Sequence, residues 1–359
     1  MSGVWYEAWS SHHLPSGSWH GPMVRAVVRD EKQDVVGVFP YAIQTAGPLK
    51  FMSLGGPYGP LRSVPLARER REEACAALVR FLTVQRDGLA LRLGPVENTD
   101  PAVHALLAEL RSQGWHLCQT RDSLEFTLDL PETLAEYEAL VGPELAKKSA
   151  YKERRMGRQG QVQVRLHTEL SSDEWERVMG DVEAIELASW VAQNGGLLRF
   201  SGKQNRVFWN SFLSDTTASS DTKVWLLYFN GQAVSHCFAI DSGQHRYIIT
   251  NAYMQSVTSF STGVILLRHV FEDALERRIR VVNYGEGDSG YKTRWGFVPE
   301  RRIQEWFAFR PGLTGVTLLV GLKLAHLLLA LRRRAAKRTP RSTDRQADQP
   351  SESDTAQRL

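Results

Sequence analysis

Alternating apolar and polar residues predict a β-hairpin near the start of the chain. Val24 to Val28 and Val35 to Ile43 alternate on either side of the turn DEKQD, as two antiparallel strands do. A strand from Leu49 to Leu54 and the loop GGPYGPLR come next, and a helix from about Pro65 to Gln85 leads to a strand from Leu89 to Leu93. The predicted order is therefore hairpin, strand, glycine-rich loop, helix and strand.

The same order of elements recurs in the second half of the chain. Its hairpin turns at Asn230-Gly231, the strongest short-range hairpin signal in the sequence. The hairpin sequences are also alike, DVVGVFPYAI in the first half and QAVSHCFAI in the second. Such internal self-similarity predicts a duplicated unit. The second unit comprises strands at Lys223 to Phe229, Ala233 to Ile240 and His245 to Tyr253, the loop QSVTSFSTG, a helix from about Gly263 to Arg278, and a strand from Val281.

The composition is that of a globular protein. A chain of 359 residues, 42% of them hydrophobic, can bury one large core or two modest ones. The formal net charge of +4 does not by itself call for nucleic acid. Cys75, Cys118 and Cys237 are widely spaced, which suggests neither a disulfide framework nor a zinc site and fits a reducing cytoplasm. His12 and His13 lack a third ligand, so we expect no metal, and the amino-terminal residues show no secretory signal.

A strongly basic segment lies between the two units. Its cations crowd one predicted helix within PELAKKSAYKERRMGRQ. Such a run is either a solvated helix face or a surface that meets phosphates, whether of a nucleotide donor, a lipid pyrophosphate or a tRNA backbone. The sequence leaves both interpretations open. The cations are Lys147, Lys148, Lys152, Arg154, Arg155 and Arg158.

The carboxyl end predicts an amphipathic helix. Leu313 to Leu331 is rich in leucine, but Lys323 and His326 lie inside it, and a central lysine costs about 2.5 to 3.5 kcal/mol in a bilayer. A helix packed on the domain or lying at the inner membrane surface is therefore favoured over a spanning helix. The basic run RRRAAKR would be attracted by anionic lipid. Beyond Thr339 the polar composition predicts disorder.

The stretch VVNYGEGDSGYKTRWG, residues 281–296, concentrates side chains that can carry chemistry. Its strand should stop at Gly285, because the glycines that follow permit positive φ angles and close backbone approach. A glycine-broken loop at the carboxyl end of a strand is a reasonable place for a substrate site. The alternative is a surface turn before an amphipathic helix. The loop would bring together Glu286, Asp288, Tyr291, Lys292 and Trp295.

This loop, with its YK-x-x-WG sequel and the elements before it, resembles the GNAT superfamily of acyltransferases. The similarity is to the FemAB-like branch, which includes the CelD-like proteins associated with bacterial cellulose and exopolysaccharide synthesis. It implies an α/β protein of two tandem GNAT-like halves, with mixed, mostly antiparallel sheets flanked by helices. The expected division is 1–125 for the first half, 126–310 for the second half with the donor site, 311–338 for the amphipathic helix and 339–359 for a disordered tail.

The resemblance implies acyl-CoA as co-substrate, with acetyl-CoA the first choice, and no metal. In the GNAT fold the strand before the main helix splays from the strand after it, and its free amides hold the pantetheine as an added strand would. Asn251 and Tyr253 would lie on that splayed strand. The pyrophosphate would lie at the start of the helix, where unpaired N–H groups and the dipole favour an anion. The residues expected there are Ser259, Ser261, Thr262 and Gly263.

The phosphate loop departs from the usual GNAT pattern of Gln or Arg, then Gly, then Gly or Ala. This sequence keeps only Gly263, with Phe260 and Ile265 at the flanking positions. The departure leaves the identity of the donor open. Serine and threonine before a helix are also simply good caps.

For proton transfer, Glu286 or Asp288 would act as the base and Tyr253 or Tyr291 as the acid to a leaving thiolate. Lys292 would be the electrophilic residue, because the family motif has a lysine here and a cation stabilises a developing oxyanion. Its structural alternative is a salt bridge to Glu286 or Asp288. His236 is an outside choice as base, in a strand where a core histidine is the usual interpretation. The residues expected to contact the acceptor are Tyr58, Arg62, Tyr284 and Trp295.

The sequence thus predicts a cytoplasmic acyltransferase that could also touch the inner membrane through residues 313–338. It would move an acyl group from acyl-CoA to an amine or hydroxyl of a saccharide or cell-envelope precursor. Two alternatives stay open. One is a FemAB-type aminoacyl-tRNA-dependent transferase acting on a peptidoglycan precursor, the only case in which nucleic acid would be a partner. The other is a non-catalytic scaffold of a polysaccharide-synthesis complex at the membrane face.

Overall fold

The computed structural model describes residues 8, 24–46, 49–55, 63–85, 87–196, 198–287 and 290–338. Three predicted site residues, Tyr58, Arg62 and Asp288, lie outside these ranges. The paired histidines near the amino terminus and the predicted tail from residue 339 onward also lie outside them.

A single mixed sheet runs through the described chain. Its 11 strands stand in the order β1-β2-β3-β4-β11-β5-β10-β9-β8-β7-β6. Two neighbouring pairs, β3-β4 and β9-β10, are parallel, and the remaining pairs are antiparallel. In chain order the strands are β1 (Val24–Arg29), β2 (Val35–Ala46), β3 (Leu49–Leu54), β4 (Ala90–Glu97), β5 (His116–Asp129), β6 (Val162–His167), β7 (Thr222–Phe229), β8 (Gln232–Ser242), β9 (His245–Tyr253), β10 (Val281–Glu286) and β11 (Val298–Phe309).

Helices join and cover these strands. Helix α1 connects the parallel strands β3 and β4, and α9 connects the parallel strands β9 and β10, so one order of elements occurs twice. Both repeats belong to one sheet, whereas the sequence predicts sheets for separate halves. The helices of the described chain are α1 (Arg71–Val84), α2 (Pro101–Ser112), α3 (Leu134–Val141), α4 (Pro143–Gly157), α5 (Ser172–Leu187), α6 (Trp190–Gln193), α7 (Lys203–Leu213), α8 (Thr216–Asp221), α9 (Thr262–Glu276) and α10 (Leu313–Arg338), with short 3-10 turns at Arg68–Arg70, Gln255–Phe260 and Thr293–Trp295.

Local sequence explains several of these elements. Asn230 and Gly231 have φ angles of 51° and 82°, which is the left-handed turn that joins two twisted strands most directly, and the predicted hairpin of β7 and β8 is confirmed. Asp100 caps α2 by accepting from the amides of Ala102 and Val103. The strand β11 is not predicted by the sequence pattern, because half of its first eight residues, VPERRIQE, are charged and they lack apolar alternation.

The second repeat has a core on each face of the sheet. On β7, Trp225 and Leu227 pack with α9, while Val224 and Leu226 pack with α5 and α7. Strand residues alternate between faces, so this pattern assigns the two helical layers to opposite sides. The first repeat packs α1 and α2 against β2, β3 and β4. The three cysteines are buried and are not disulfide-bonded.

A buried arginine joins β9 to α9. The Arg246 side chain is fully buried and donates to both carboxylate oxygens of Asp241, at 2.8 Å each. It also donates to Asp273 at 2.7 Å and to the carbonyl of Val270 at 2.8 Å, both on α9. A buried charge is tolerated when it is paired and hydrogen-bonded in this way. The network therefore fixes the position of α9 against the sheet.

The predicted carboxyl-terminal helix is present as α10. One side of it packs Leu318, Leu319 and Leu322 against a small core that contains Cys118 and Phe309. Among the described residues, no helix combines the length and the apolar character needed to cross a bilayer. The predicted boundary between residues 125 and 126 falls inside β5, and the division into two halves stays a prediction.

Candidate active site between β9 and β10

The two parallel strands of the second repeat pair only at their starts. The register joins Val281 to His245, Val282 to Arg246 and Asn283 to Tyr247, and no pairing continues beyond it within the described chain. From Ile248 onward, the β9 backbone therefore has no partner in β10. This parting is what the GNAT resemblance implies for the donor site, and it lies where the sequence places it.

A cavity of about 410 Å³ opens at the parted strands. The residues that line it come from β9, from the end of β10 and the loop after it, and from α5, α6 and the segment that follows α6. Four predicted site residues, Asn251, Tyr284, Tyr291 and Lys292, are among those that line it. The other lining residues are Glu186, Trp190, Val191, Gly196, Arg199, Ile248, Ile249, Thr250 and Ala252.

A β-bulge shapes the β9 side of this cavity. The pairing with β8 steps from Ile248 to Thr250 on β9 while it advances one residue on β8, so Ile249 is the extra residue. The Arg199 side chain donates to the carbonyl of Ile249. A bulge bends its strand and increases the local twist, which helps to turn β9 away from β10.

A buried carboxylate holds the loop that carries Arg199. The Glu186 side chain accepts from the amides of Arg199 at 2.6 Å, Phe200 at 3.0 Å and Ser201 at 2.8 Å, and from the Ser201 hydroxyl at 2.7 Å. Four donors on one carboxylate compensate for its burial. Neither Glu186 nor Arg199 is predicted by the sequence, because both precede the motif by about a hundred residues and match no short pattern.

Among the described residues, Lys292 donates to three backbone oxygens. Its ammonium donates to the carbonyls of Tyr284 at 3.0 Å, Gly285 at 3.1 Å and Glu286 at 3.1 Å, and the residue is only 4% exposed. Its Nζ also lies 5.2 Å from the ring centre of Phe126. The structural alternative is a salt bridge to Glu286 or Asp288. Glu286 pairs with Arg121 instead, and Asp288 lies outside the described residues. These contacts favour a lysine that fixes the end of β10 beside the cavity.

The predicted acid and base candidates differ in surroundings. Glu286 pairs with Arg121 at 2.5 Å and accepts from the Ser123 hydroxyl, so its carboxylate is already held by two donors. Asn251 bridges the parted strands by donating to the Tyr284 hydroxyl at 2.5 Å. Burial, followed by the neighbouring Tyr291, raises the pKa of Tyr284 well above its ordinary value. Tyr284 is therefore a neutral phenol at any physiological pH.

None of the residues of the predicted phosphate loop is among those that line this cavity. Ser261 stands at the N-cap position of α9 with a left-handed backbone at φ 57°, and its side chain makes no capping hydrogen bond. Thr262 is fully buried, and Ser259 is exposed. The Thr262 hydroxyl has no hydrogen-bond partner among the described residues. Tyr253, at the end of β9, packs against the core under α9. Gly263 lies in the first turn of α9.

Two other predicted site residues, Trp295 and His236, are buried in the core. The Trp295 side chain is buried and packs on Phe271 at 5.6 Å between ring centres, so it belongs to the core and not to the cavity wall. His236 is also core: neither ring nitrogen has a hydrogen-bond partner in the described chain. Burial lowers the pKa of His236 to about 4, although the nearby Glu186 opposes the shift. A histidine in this setting is a poor choice as a base that exchanges protons with an acceptor.

A buried carboxyl that the sequence does not single out lies next to the end of β10. Glu125 pairs with Glu286 in the β5-β10 register, and neither of its carboxyl oxygens has a hydrogen-bond partner among described residues. Burial raises its pKa, while Asn283 and Arg301 act in the opposite direction. Within the described chain, no group of three or more His, Cys, Asp or Glu could hold a metal ion.

A second and larger cavity, of about 710 Å³, lies on the other side of the motif loop. It brings the basic helix α4 against the residues that follow Lys292. Its lining residues are Leu140, Val141, Glu144, Leu145, Lys147, Lys148, Tyr151, Thr293, Arg294 and Gly296.

Comparison with known proteins agrees with this geometry. Residues 144–293 match the family model described as an acetyltransferase (GNAT) domain. Among solved structures, the chain is similar to FemX, with 11% identity over 85% of this chain and 90% of that one and a TM-score of 0.55. It is also similar to L-PGS from Bacillus licheniformis, with 11% identity over 84% of this chain and 88% of that one and a TM-score of 0.50. No curated protein sequence matches significantly.

Residues 144–293, which contain the parted strands β9 and β10 and the helix α9 between them, therefore form a GNAT domain. Within the GNAT superfamily, the matched domain is of the FemAB/CelD-like kind, as the YK-x-x-WG loop predicts.

Proposed function

We propose that this chain is an acyltransferase that binds an acyl-CoA donor between β9 and β10 and transfers the acyl group to an amine or hydroxyl. The observation that carries the proposal is the loss of pairing after Tyr247, which leaves a β9 edge facing a cavity. An extended, amide-containing arm can add to such an edge through backbone hydrogen bonds. We also interpret the two repeats as tandem GNAT-like halves, of which the second holds the donor.

The reaction requires little covalent chemistry from the protein. The acceptor nitrogen or oxygen attacks the thioester carbonyl carbon, the C–S bond breaks, and the acceptor proton passes to a base while the thiolate takes up a proton. Free amides of β9 are suited to the developing oxyanion. Tyr291 lines the cavity and is our candidate acid, and Glu286 or Asp288 is the candidate base. The acceptor, a saccharide or cell-envelope precursor, is proposed from the FemAB/CelD-like kind of domain alone.

Filling the cavity should abolish donor binding. Thr250 lines the cavity, and Thr250→Trp would place an indole where the donor arm should lie. A ligand that binds only the native state at about 100 times its Kd stabilises that state by about 2.7 kcal/mol. We therefore expect acetyl-CoA or a longer acyl-CoA to raise the Tm of the wild-type protein and to leave that of Thr250→Trp unchanged.

The matched control is Thr217→Trp, the same exchange at an exposed position of α8. It should respond to the donor as the wild type does. Absence of a Tm shift with every acyl-CoA in the wild type would contradict the proposal, and so would a full shift in Thr250→Trp.

A second candidate, aminoacyl transfer from tRNA, is favoured by one observation. Helix α4 exposes Lys147, Lys148, Arg154, Arg155 and Arg158 beside the motif loop, and such a face can neutralise a phosphate backbone. Binding of an aminoacylated RNA hairpin without any response to acyl-CoA would support this candidate. A response to neither ligand would support a scaffold without catalysis.

We further propose that α10 lies on the surface of an anionic membrane. Its side opposite the packed leucines carries exposed apolar residues at spacings of three and four, which place them on one face of the helix. The helix contains no acidic residue and ends in the run RRRAAKR. A second copy of so basic a helix would be repelled, whereas anionic lipid would attract it. Seven of the eight large apolar residues exposed on α10 lie on this face, namely Leu313, Val316, Val320, Leu324, Leu327, Leu328 and Leu331. The eighth, Leu329, lies on the side of the packed leucines.

Co-sedimentation with vesicles tests the membrane contact. We expect binding to vesicles that contain phosphatidylglycerol, weaker binding to pure phosphatidylcholine, and loss of both in the double variant Leu324→Glu, Leu328→Glu, because carboxylates would enter the apolar face. The double variant Leu134→Glu, Leu187→Glu makes the same exchange at exposed leucines elsewhere and should still bind. Equal binding by both double variants would refute the contact.

A further inference from the structure

The cavity beside α4 has the composition of an anion site. Lys147 and Lys148 belong to α4, Arg294 belongs to the segment that follows Lys292, and Glu144 is the one carboxylate among the lining residues. The lining therefore has a net excess of two positive charges, from three cations and one anion. All three cations are exposed, and among described residues none of them forms a salt bridge.

The rest of the lining suits a ligand that is more than a bare ion. Leu140, Val141 and Leu145 supply apolar surface, and Tyr151 is 51% exposed and adds a phenol that can donate a hydrogen bond or stack on a planar group. A ligand site usually combines an apolar wall with a few convergent polar groups. Lysine and arginine are typical partners of phosphate.

The two cavities flank the same short segment. Lys292 lines the cavity at the parted strands, Arg294 lines the basic cavity, and their Cα atoms are at most about 7.6 Å apart along the chain. Helix α4 is held in place here because the buried Ser149 hydroxyl donates to the carbonyl of Val264, in the first turn of α9. A ligand that occupied both cavities would therefore have to extend past this one short segment.

We propose that the basic cavity binds the phosphate groups of the same donor whose acyl end occupies the space between β9 and β10. This inference rests on the proposed function for the identity of the donor, but the anion site itself does not. It explains how a chain that keeps only Gly263 of the usual phosphate loop can still hold a phosphorylated donor: cations of α4 and Arg294 carry the interaction. The ligand class is a phosphate ester attached to an acyl-carrying arm.

Charge reversal of one α4 lysine and of Arg294 is the test. Calorimetry would compare the wild type with Lys148→Glu, Arg294→Glu, using coenzyme A, dephospho-coenzyme A, S-acetylpantetheine and inorganic pyrophosphate as ligands. The matched control is Arg155→Glu, Arg158→Glu, which makes the same charge change on or just after the same helix, outside the cavity. Loss of about tenfold per cation predicts about a 100-fold weaker affinity of the cavity variant for coenzyme A and pyrophosphate.

S-acetylpantetheine carries no phosphate, so both double variants should bind it as the wild type does. The control variant should bind every ligand within about threefold of the wild type, because its charges are distant and screened. If both double variants lost the same affinity for coenzyme A and pyrophosphate, the effect would come from the overall positive charge of the helix and not from the cavity. That result would overturn the proposal. So would failure of the wild type to bind pyrophosphate.

The four ligands distinguish a failure of the anion site from a failure of the proposed acyl-CoA donor. If the wild type binds pyrophosphate but no coenzyme A derivative, acyl-CoA is not the donor, and the anion site is still supported. An aminoacylated RNA hairpin would then replace coenzyme A as the probe. A larger loss of affinity in the cavity variant than in the control variant would identify the terminal phosphates of the RNA as the occupant. If S-acetylpantetheine binds but the cavity variant keeps full affinity for coenzyme A, the function stands and the anion site is refuted.

Discussion

Replacing Lys292 by methionine should lower the unfolding free energy by at least about 2 kcal/mol and reduce turnover by about 100-fold. The exchange keeps the length of the side chain but leaves the carbonyls of Tyr284, Gly285 and Glu286 without their donor. A buried polar group that loses its partner costs about 1 to 3 kcal/mol, and a small displacement of reacting groups can cost about 100-fold in rate. Denaturant unfolding and steady-state acyl transfer measure the two effects.

The same variant distinguishes two roles for the lysine. If Lys292 acts only on the oxyanion, Lys292→Met should lose turnover while its stability and its affinity for the donor stay unchanged. If it fixes the end of β10, all three should fall together, which is what its contacts favour. Lys203→Met, an exposed lysine at the start of α7, is the control for the loss of one charge and should be neutral. Unchanged stability in Lys292→Met would contradict the positioning role.

Acid should destabilise the protein through His236. Its pKa is about 4 in the folded state, because of burial, and about 6.5 when unfolded. Below pH 6.5 the unfolded chain binds a proton at His236 before the folded protein does. The free energy of unfolding is therefore unaffected by His236 above pH 6.5 and decreases as the pH falls toward 4. At 1.36 kcal/mol per pH unit, the full loss is about 3 kcal/mol.

The variant His236→Leu should remove this part of the pH dependence. Leucine fits an apolar site in which neither ring nitrogen has a partner among the described residues, so the variant should be at least as stable as the wild type at neutral pH. Other groups also titrate, since Glu153 has a lowered pKa from its hydrogen bond with His269, but they do so in both proteins. Parallel stability curves for the two proteins between pH 6.5 and 4 would contradict the prediction.

The local part of the fold could be predicted from the sequence because local signals specify it. The alternation in β1 and β2 and the Asn230-Gly231 turn each act over a few residues, and both hairpins are present. The position of β11 could not be predicted in this way. It lies between β4 and β5, so its neighbours are about 180 to 210 residues away along the chain, and its charged first half hides its strand character.

For the candidate site, too, the sequence predicts what depends on adjacent residues and not what depends on distant ones. The glycine-rich loop after Val281 identifies the place, because its residues are adjacent in sequence. The roles of its side chains depend on distant partners: Arg121 and Ser123 hold Glu286, and Phe271 packs with Trp295. The spacing of charged residues predicts carboxylates as possible partners of Lys292. The backbone carbonyls that it binds could not be predicted, because every residue has a carbonyl and a sequence motif does not distinguish them.

The insertion of β11 between β4 and β5 has a consequence for biosynthesis. Strands β4 and β5 follow one another along the chain but are not neighbours in the sheet, and the strand that separates them ends at Phe309. A nascent chain emerging from the ribosome therefore presents two open strand edges until β11 has been translated, and such edges are where chains pair wrongly. Of the described strands, the last to be made thus closes the sheet, and chaperone protection during translation would matter most before it is synthesised.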